Sequence, residues 1–406
     1  MAQVAYGQQV RRFAVVSSCP EKWGGSEELW WQAALALRER GHRVDVLKTN
    51  VDDAHPRIRD LRAAGCSVRD LDRARTYRAS AAASSLLPAR HGLDKKRRDL
   101  LAAAVALAAR RPHLAIVTQG QNFDGAHLGL LCDWLRIPYV MVAQKASELH
   151  WPADWARPHL GRVFAAARRC VFVSEHNKRL TEHQIGAPIE RALIIRNPVL
   201  VDRDAPLPWP ASGNGNGDGP LRLACVARLF PAEKGQDLLL DALARDRWRA
   251  RPVRVGFFGE GANRDGLAGM ARTLGLDNVS FEGQAPRIVD VWRTHHALVL
   301  PSRAEGLPLS VVEAMACGRV PVVTDVGGTA EVVEDGVSGF VAPAPTVAAV
   351  DDALERAWAA RDDWPAIGRT AASRIGELVP RDGGGELADL ALSEAAGAGR
   401  RAARGA

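Results

Sequence analysis

Short apolar runs alternate with amphipathic stretches along the first half of the chain, a pattern typical of a parallel α/β sheet. The run RRFAVVSS at residues 11–18 predicts a first strand, and the turn-rich loop CPEKWGG follows it. We expect Ser26 to cap the next helix and Gly41 to end it. Later strands are predicted at 42–47, 114–120, 138–144, 170–175 and 192–199, with helices at 126–137, 161–169 and 176–186.

The composition changes at residues 202–220, where the chain reads DRDAPLPWPASGNGNGDGP. This stretch contains almost nothing that could bury a core, so it predicts a linker with a flexible tip. The alternation then restarts, with strands predicted at 221–229, 253–259, 278–283, 297–302, 320–325 and 339–343 and helices between them.

The length of 406 residues exceeds one ordinary core and favours two domains. We place an N-terminal domain at 1–201, the linker at 202–220 and a C-terminal domain at 221–375. A helical, Ala-rich segment at 376–406 ends in GAGRRAARGA, whose composition is typical of disorder.

The bulk properties exclude several classes of protein. No apolar run reaches the roughly 18 residues that a membrane span needs, and the N-terminus lacks an apolar signal core, so we expect no export by that route. Six cysteines without a Cys-x-x-Cys pair argue against zinc and against a disulfide framework, and they suit a reducing cytoplasm. The formal charge of +7 favours anionic partners mildly. Because the basic residues are dispersed and no nucleic-acid motif is present, we expect no nucleic-acid partner.

Two loops at the carboxyl ends of predicted strands could receive an anion. In WGGSEE, Gly24 and Gly25 let a ligand approach the backbone beside a helix N-terminus. The alternative is a flexible loop in which Ser26 caps the helix and the two following glutamates complement its dipole. In ARLFPAEKGQ, Arg228 and Lys234 could hold a diphosphate at the mouth of a helix, and the alternative is two solvated basic residues.

The loop FFGEGANRDG matches only part of the dinucleotide-binding motif Gly-x-Gly-x-x-Gly. Gly259 and Gly261 match the first two glycines, whereas the third position is Arg264. An NAD-dependent activity is therefore disfavoured.

The stretch PSRAEGLPLSVVEAMACG, residues 301–318, carries two acids eight positions apart. Ser310-x-x-Glu313 fits a capping box, although Pro308 as a first helical residue would start the helix earlier. Glu305 has no capping role, and its carboxylate is a good acceptor for sugar or ribose hydroxyls.

The Glu-x7-Glu motif in EGLPLSVVE, together with its surroundings, resembles glycosyltransferase family 4, the retaining enzymes of the GT-B fold. The resemblance also includes WGGSE, VARLFPAEKG and VSFEGQAP, and it covers roughly residues 11–375. It implies two doubly wound, Rossmann-like α/β domains that face each other across a cleft. The N-terminal domain would serve the acceptor, and the C-terminal domain would bind the nucleotide-sugar donor.

The resemblance also implies roles for individual residues. Arg228 and Lys234 would bind the donor diphosphate and stabilise the leaving group, and Glu305 would contact the transferred sugar; these three are the catalytic candidates. Glu313 would hold the ribose. The remaining donor contacts would come from the backbone of Gly306 and Leu307 and from the glycine loop at Gly24 and Gly25.

One position departs from the pattern of the family. Many members carry a histidine after an N-terminal strand, where this chain has Gln144, with His150 six residues later. Glutamine cannot act as a base at neutral pH, so the catalytic group of this domain is open, and Lys145 and Glu148 join Gln144 as acceptor-side candidates. The missing histidine also supports an alternative function, a non-catalytic sugar-nucleotide-binding protein of the same fold.

The resemblance predicts a retaining transferase that moves a sugar from a nucleotide-diphosphate sugar to a hydroxyl of a glycan, a lipid-linked or a small-molecule acceptor. We expect no cofactor and no metal, because the lone Asp-x-Asp at Asp70–Asp72 is a pattern frequent by chance. We expect a cytoplasmic protein. The basic stretch at 86–111 favours a solvated helix, and its second interpretation is peripheral contact with the anionic inner face of a membrane.

Overall fold

A computed structural model describes residues 9–74, 95–203, 207–211 and 219–402. The contacts divide the chain into two compact units. The N-terminal unit contains the chain up to Ala146, the segment His150–Asn197 and the residues from Asp382 onwards. The C-terminal unit contains Ser147–Leu149 and Pro198–Arg381.

The N-terminal unit is built on a seven-stranded parallel sheet with the order β3-β2-β1-β4-β5-β6-β7. Its strands are β1 (Arg12–Ser17), β2 (Arg43–Lys48), β3 (Ser67–Asp70), β4 (Leu114–Gln119), β5 (Tyr139–Ala143), β6 (Arg169–Phe172) and β7 (Ala192–Ile194). Its first helices are α1 (Glu28–Glu39), α2 (Pro56–Ala63), α3 (Lys95–Arg110), α4 (Ala126–Trp134), α5 (Arg157–Ala166) and α6 (Glu175–Ile185). The chain leaves β1 outwards through β2 and β3, then returns to β4 on the other side of β1.

The C-terminal unit contains a six-stranded parallel sheet with the order β10-β9-β8-β11-β12-β13. The strands are β8 (Leu221–Val226), β9 (Val253–Phe258), β10 (Val279–Gly283), β11 (Ala297–Leu300), β12 (Val320–Thr324) and β13 (Phe340–Ala342). The helices are α7 (Pro231–Lys234), α8 (Gln236–Leu243), α9 (Asp246–Ala250), α10 (Arg264–Thr273), α11 (Ile288–Thr294), α12 (Leu309–Ala316), α13 (Thr329–Val332), α14 (Val347–Ala359) and α15 (Trp364–Leu378). The two sheets confirm the expected pair of doubly wound α/β units.

Local sequence explains where helices begin and end in both units. In α6 the Ser174 hydroxyl accepts the Asn177 N–H at 3.2 Å, and Gly186 follows the helix in the left-handed region with φ of 71°. In α14 Thr346 caps in the same way, accepting the Ala349 N–H. Apolar residues on both faces of the central strands are buried, as a parallel sheet covered by helices on both faces requires.

The last helix, α16 (Gly383–Ala402), packs against α1 and so belongs to the N-terminal unit. It begins closely against that unit, since a Cβ atom on Gly383 would lie 2.5 Å from the Arg196 carbonyl oxygen. The helix runs to Ala402, through part of the tail that the composition predicted to be disordered.

One residue of the predicted linker packs against the C-terminal unit. Trp209 packs on the core of the C-terminal unit, with its ring 5.6 Å from that of His296. Arg319 lies beside the same indole and donates to the Pro208 carbonyl at 2.8 Å. Trp209 is therefore a partly buried residue within the predicted linker, whereas residues 204–206 and 212–218 lie outside the described part.

Three further sequence expectations can be located on this fold. Of the basic stretch at 86–111, residues 86–94 lie outside the described residues, and α3 begins at Lys95. All six cysteines are buried and none forms a disulfide. Among the described helices, none combines the length and the apolar character needed to cross a bilayer.

Candidate active site

Lys234 and Glu305 meet at the carboxyl edge of the C-terminal sheet, with the Lys234 Nζ 2.6 Å from the Glu305 Oε1. Gly235 makes this approach possible because it turns the chain between α7 and α8 in the left-handed region, with φ of 64°. A Cβ atom at this position would lie 1.9 Å from the Pro301 carbonyl oxygen, so the turn sits directly against the end of β11. The side chain of Lys234 is 17% exposed and that of Glu305 is 6% exposed.

The loop that carries Glu305 is held by neighbouring elements. The Ser302 hydroxyl donates to the Glu305 Oε1 at 2.7 Å, and the Thr324 hydroxyl donates to the Ser302 carbonyl at 2.6 Å. Gly327 has φ of 62°, and a Cβ atom there would lie 2.4 Å from the Glu305 carbonyl oxygen. These contacts fix the carboxylate before any ligand binds, which lowers the ordering cost of recognition.

Arg228 lies two residues beyond β8 and also has an acidic partner. Its guanidinium donates to the Glu233 Oε2 at 3.1 Å, and its carbonyl accepts from the Gln236 amide at 2.7 Å. The side chain is exposed in part and lies over the Phe230 ring. The structure therefore gives each predicted diphosphate-binding cation a carboxylate, and Glu233 was absent from the sequence prediction although it lies in the same motif.

Glu313 lies in the second turn of α12 and is buried. The helix begins at Leu309, with Pro308 as its N-cap and no side-chain cap, so the capping box through Ser310 does not form. Pro308 precedes the helix rather than forming its first residue, which corrects the sequence expectation. Leu307 is buried in the same loop.

The Gly306 carbonyl accepts the N–H of Gly328 at 2.6 Å. The backbone of the Gly306 turn is thus tied to the loop beyond β12, close to Glu305.

The glycine loop of the N-terminal unit is organised by Glu27, not by Ser26. Gly24 caps a 3-10 turn, Gly25–Glu27, and its N–H donates to the Glu27 Oε2 at 3.1 Å. The expectation that Ser26 caps the helix was therefore wrong. The other oxygen of the Glu27 carboxylate accepts from the Ser17 hydroxyl at 3.3 Å.

A buried lysine completes this loop. The Lys48 Nζ lies 3.3 Å from the Glu27 Oε1 and donates to the carbonyl of Cys19 at 3.1 Å and to that of Glu21. The side chains of Lys48 and Glu27 are 0% and 1% exposed. Burial raises the pKa of Glu27 to about 7, although Lys48 acts to lower it. Burial also raises the pKa of the Cys19 thiol, to about 12, so this thiol is not a nucleophile at neutral pH.

Glu28 does not serve the helix dipole from the surface. It is buried and accepts from the Trp23 indole at 2.8 Å, and it forms an ion pair with Arg57 at 3.2 Å. The Arg57 guanidinium also lies over the Trp31 ring. The two glutamates of WGGSEE therefore hold the loop by tertiary contacts.

The acceptor-side candidates fall in different units of the described structure. Gln144 directly follows β5 and is buried, with its carbonyl accepting the Asn177 amide at 3.4 Å. Lys145 follows it in the N-terminal unit, whereas Glu148 falls in the segment Ser147–Leu149 that groups with the C-terminal unit.

The Asp-x-Asp sequence has a structural role in the N-terminal unit. Asp70 accepts the N–H groups of Val51 and Asp72 and caps a 3-10 turn, while Asp72 accepts the Asn50 N–H. Within the described ranges, no group of three or more His, Cys, Asp or Glu side chains is placed to hold a metal ion.

Comparisons with known proteins relate this geometry to one family. The sequence model described as "Glycosyl transferases group 1" matches residues 220–360. The D-inositol 3-phosphate glycosyltransferase of Gordonia bronchialis is 38% identical over 158 residues, which cover 36% of this chain and 34% of that protein. The chain therefore spans about a third of the length of that relative.

A second relative aligns over a longer region. The GDP-mannose-dependent alpha-(1-6)-phosphatidylinositol monomannoside mannosyltransferase of Mycolicibacterium smegmatis is 31% identical over 274 residues, which cover 59% of this chain and 69% of that protein. Among solved structures, Anabaena HepE in complex with UDP has a TM-score of 0.70 at 17% identity, covering 94% of this chain and 99% of that one. The structural likeness shows a shared fold.

Proposed function

Because this chain belongs to the GT-B glycosyltransferase family, we propose that it transfers a sugar from a nucleotide-diphosphate sugar to an acceptor hydroxyl. The observation that carries this proposal is the Lys234–Glu305 pair, held at the carboxyl edge of a parallel sheet beside Arg228. In open α/β sheets this edge is where ligands bind.

Lys234 is suited to a departing diphosphate. Its ammonium has three N–H donors, and Glu305 is its one acceptor among the contacts of the described residues. A phosphate oxygen can take a further donor, and the negative charge that develops on the leaving group is then stabilised electrostatically. Arg228 adds a planar fork that fits phosphate oxygens.

Glu305 is suited to the hydroxyls of the transferred sugar. Ser302 and Lys234 hold its Oε1, which orients the carboxylate toward one arrangement of ligand donors. Gly306 adds no side chain to the turn after Glu305, and we assign its backbone and that of Leu307 to the same subsite. Glu313 lies farther along α12, and we assign it to the ribose.

The finer features of the reaction are also proposals. We propose transfer with retention of configuration, on the basis of the Glu-x7-Glu resemblance, and a metal-independent reaction. Proton NMR of the anomeric signal in the first product would test retention, and an inverted anomer would reject it. Turnover that is unchanged by EDTA would support metal independence. Cytoplasmic location, membrane contact and the class of acceptor stay predictions.

A donor screen tests the proposed function as a whole. The protein is incubated with UDP-, GDP- and ADP-sugars and a panel of acceptors, and released nucleotide is measured by mass spectrometry. Titration calorimetry with UDP, GDP and ADP is the parallel binding measurement. We expect one nucleotide diphosphate to bind and its sugar to be transferred; binding without turnover on any acceptor would contradict the proposal.

A further inference from the structure

Trp23, the residue directly before Gly24, is held by three of its neighbours. Its ring stacks on the imidazole of His55, with the ring centroids 5.0 Å apart and an angle of 20° between the planes. The indole N–H donates to the Glu28 Oε1 at 2.8 Å, and the centroid of the Trp30 ring lies 5.4 Å away. Because Gly24 follows directly in the chain, the position of Trp23 limits where the glycine backbone can lie.

His55 is the last residue of the loop after β2, and this loop contacts the chain that leads into the glycine loop. Two of the contacts are polar and lie at the surface, a hydrogen bond from the Asn50 amide to the Pro20 carbonyl at 3.2 Å and the ion pair of Lys22 with Asp52 at 3.1 Å. Such exposed contacts contribute little to stability. The stack of His55 on Trp23 is partly buried and lies beside Gly24, so we expect it to have the larger effect on the glycine loop.

His55 also begins α2. Its Nδ1 accepts the Arg57 N–H at 3.3 Å, and Pro56 is the first residue of the helix. Because Nδ1 is an acceptor here, the ring is neutral and carries its proton on Nε2. A second proton, on Nδ1, would set one donor against another and would add a positive charge at a helix N-terminus, which the helix dipole disfavours. Protonation therefore acts against the ring position that supports the stack.

The surroundings of the imidazole decide where His55 titrates. Burial lowers the pKa of His55 below its ordinary value of 6.5, and Arg57 and Arg59 of α2 act in the same direction. Glu28 of α1 and Asp52 of the same loop act to raise it. Since the folded pKa is the lower one, the contribution of the neutral ring to stability is complete above pH 6.5 and is lost as the pH falls through the folded pKa.

We propose that His55 is a positioning residue for the donor: its neutral ring, stacked on Trp23, holds the glycine loop in place, and protonation of the ring releases the loop. The inference rests on the proposed function, because the donor contact at Gly24 belongs to that function. His55 touches no reacting atom and acts through Trp23. Donor affinity therefore falls in mild acid.

The first experiment measures the order of the glycine loop by hydrogen exchange and needs no donor. The Gly24 N–H donates to the Glu27 carboxylate and the Glu27 N–H donates to the Gly24 carbonyl at 3.0 Å, so both N–H groups report on the loop. Two variants divide the functions of His55. His55→Asn keeps a helix cap and loses the stacked ring, whereas His55→Phe keeps an aromatic ring and loses the cap.

We expect both N–H groups to exchange about three- to tenfold faster in His55→Asn than in the wild type at neutral pH. His55→Phe should exchange them at nearly the wild-type rate. Equal rates in His55→Asn and the wild type would overturn the proposal. Equal acceleration in the two variants would assign the effect to the helix cap and would overturn it as well.

The pH profile of the exchange separates His55 from Glu27, whose pKa of about 7 lies in the same range. Rates are corrected for the intrinsic pH dependence of exchange and compared between about pH 7.5 and about pH 5.5. Glu27 is present in every variant, so the measured quantity is the difference between the wild type and His55→Phe. We expect the wild type to lose more protection in acid. An identical profile, or better protection of the wild type in acid through an imidazolium held on the Trp23 ring, would overturn the proposal.

The matched control is His113→Asn. The His113 Nδ1 also accepts a backbone N–H, that of Arg12 at 3.0 Å, but it does so at the first residue of β1, the end of the strand opposite the glycine loop. This variant should keep the wild-type exchange rates at Gly24 and Glu27 and the wild-type pH profile. A change as large as that in His55→Asn would mean that any lost histidine loosens the unit, and the proposal would be wrong.

A second experiment measures the donor KM once a productive donor is known. We expect His55→Asn to raise it about three- to tenfold, in parallel with the exchange rates, and His55→Phe to restore it and to remove part of its rise in acid. An unchanged donor KM in His55→Asn, with faster exchange of the loop, would show that the loop does not position the donor and would overturn the proposal. Failure of the proposed function would appear as no nucleotide release from any donor, whereas the exchange rates would still decide whether His55 orders the loop.

Discussion

In the described residues, each of the two sheets carries a lysine–glutamate pair at its carboxyl edge. The two pairs differ in their exposure and in how many N–H donors of the lysine meet a protein acceptor. In the N-terminal unit, Lys48 and Glu27 are 0% and 1% exposed, and all three donors of the lysine meet protein acceptors. In the C-terminal unit, Lys234 and Glu305 are 17% and 6% exposed. Glu305 is the one acceptor that Lys234 meets among the described contacts.

The difference separates a pair that builds a loop from a pair that can meet a ligand. Lys48, at the end of β2, pairs with Glu27 in the loop after β1, and Glu27 in turn accepts the Gly24 N–H. Lys234 has the same chemistry but keeps donors and solvent access. The residue types of an ion pair therefore do not indicate a ligand site by themselves. The useful features are the lysine N–H donors that have no protein acceptor and the exposure of the two side chains.

The largest expected effect is on stability, from Lys48→Met. Removing one partner of a buried pair leaves the other unpaired, and we expect the free energy of unfolding to fall by about 3–5 kcal/mol. Urea unfolding measures it. The double variant Lys48→Met/Glu27→Leu should recover much of the loss, because no buried charge is then left alone. A loss below about 1 kcal/mol in the single variant would contradict the prediction, because it would mean that the pair contributes no more to stability than a surface ion pair.

The next effect is on turnover, from Lys234→Met. We expect the rate of nucleotide release to fall about 10²–10³-fold through the loss of leaving-group stabilisation. The free energy of unfolding should fall by less than in Lys48→Met, because Lys234 is partly exposed and Glu305 keeps the Ser302 hydroxyl as a donor.

Lys178→Met is the control for Lys234→Met. Lys178 pairs with Glu182 at 3.2 Å within α6 and is partly exposed as well. This control should keep full turnover. If Lys234→Met instead unfolded at as low a urea concentration as Lys48→Met, both pairs would be structural, and the proposed difference between them would be wrong.

The sheet framework could be predicted from sequence, because each central strand is an apolar run between turn residues. β11, with the sequence ALVL and every residue buried, is such a run. β3, with the sequence SVRD, is a short, half-buried edge strand without an apolar pattern, and no strand was predicted there. The Lys234 and Glu305 motifs could likewise be located from sequence, because each begins in the loop that follows a recognisable strand.

The internal bonding of the glycine loop could not be predicted from sequence. WGGSEE fits a Ser26 cap locally, and the contact that decides otherwise comes from Lys48, far along the chain on β2. The stack of Trp23 on His55 was also hidden, since the two residues lie in different loops and have no characteristic spacing. Both features depend on which strands become neighbours, which local patterns do not specify.

Smaller effects are expected from alanine substitutions at two glycines, Gly235 beside Lys234 and Gly24 in the glycine loop. Gly235→Ala places a side chain in the left-handed region, at about 1–2 kcal/mol, and against the Pro301 carbonyl. Gly24 is extended, and the nearest atom to an added Cβ is the Ser26 Oγ at 3.8 Å. Gly24→Ala should therefore change the free energy of unfolding by less than about 0.5 kcal/mol.

The donor KM then tests the assignment of Gly24. If a donor approaches this backbone, Gly24→Ala raises the donor KM while the urea midpoint stays that of the wild type. An unchanged donor KM would remove Gly24 from the proposed donor site, and with it the support for a functional glycine loop.

A pH dependence of stability is expected for the buried pair. The folded pKa of Glu27, about 7, lies above its ordinary value of 4.5, so its contribution to stability falls as pH rises between these values. Lys48→Met removes a group that lowers this pKa, so the fall should continue above pH 7, at up to about 1.4 kcal/mol per pH unit. Urea midpoints from pH 5 to 9 measure it. Lys48→Met/Glu27→Gln cannot titrate at this position and should lose the extra slope; if it kept that slope, another group would be responsible.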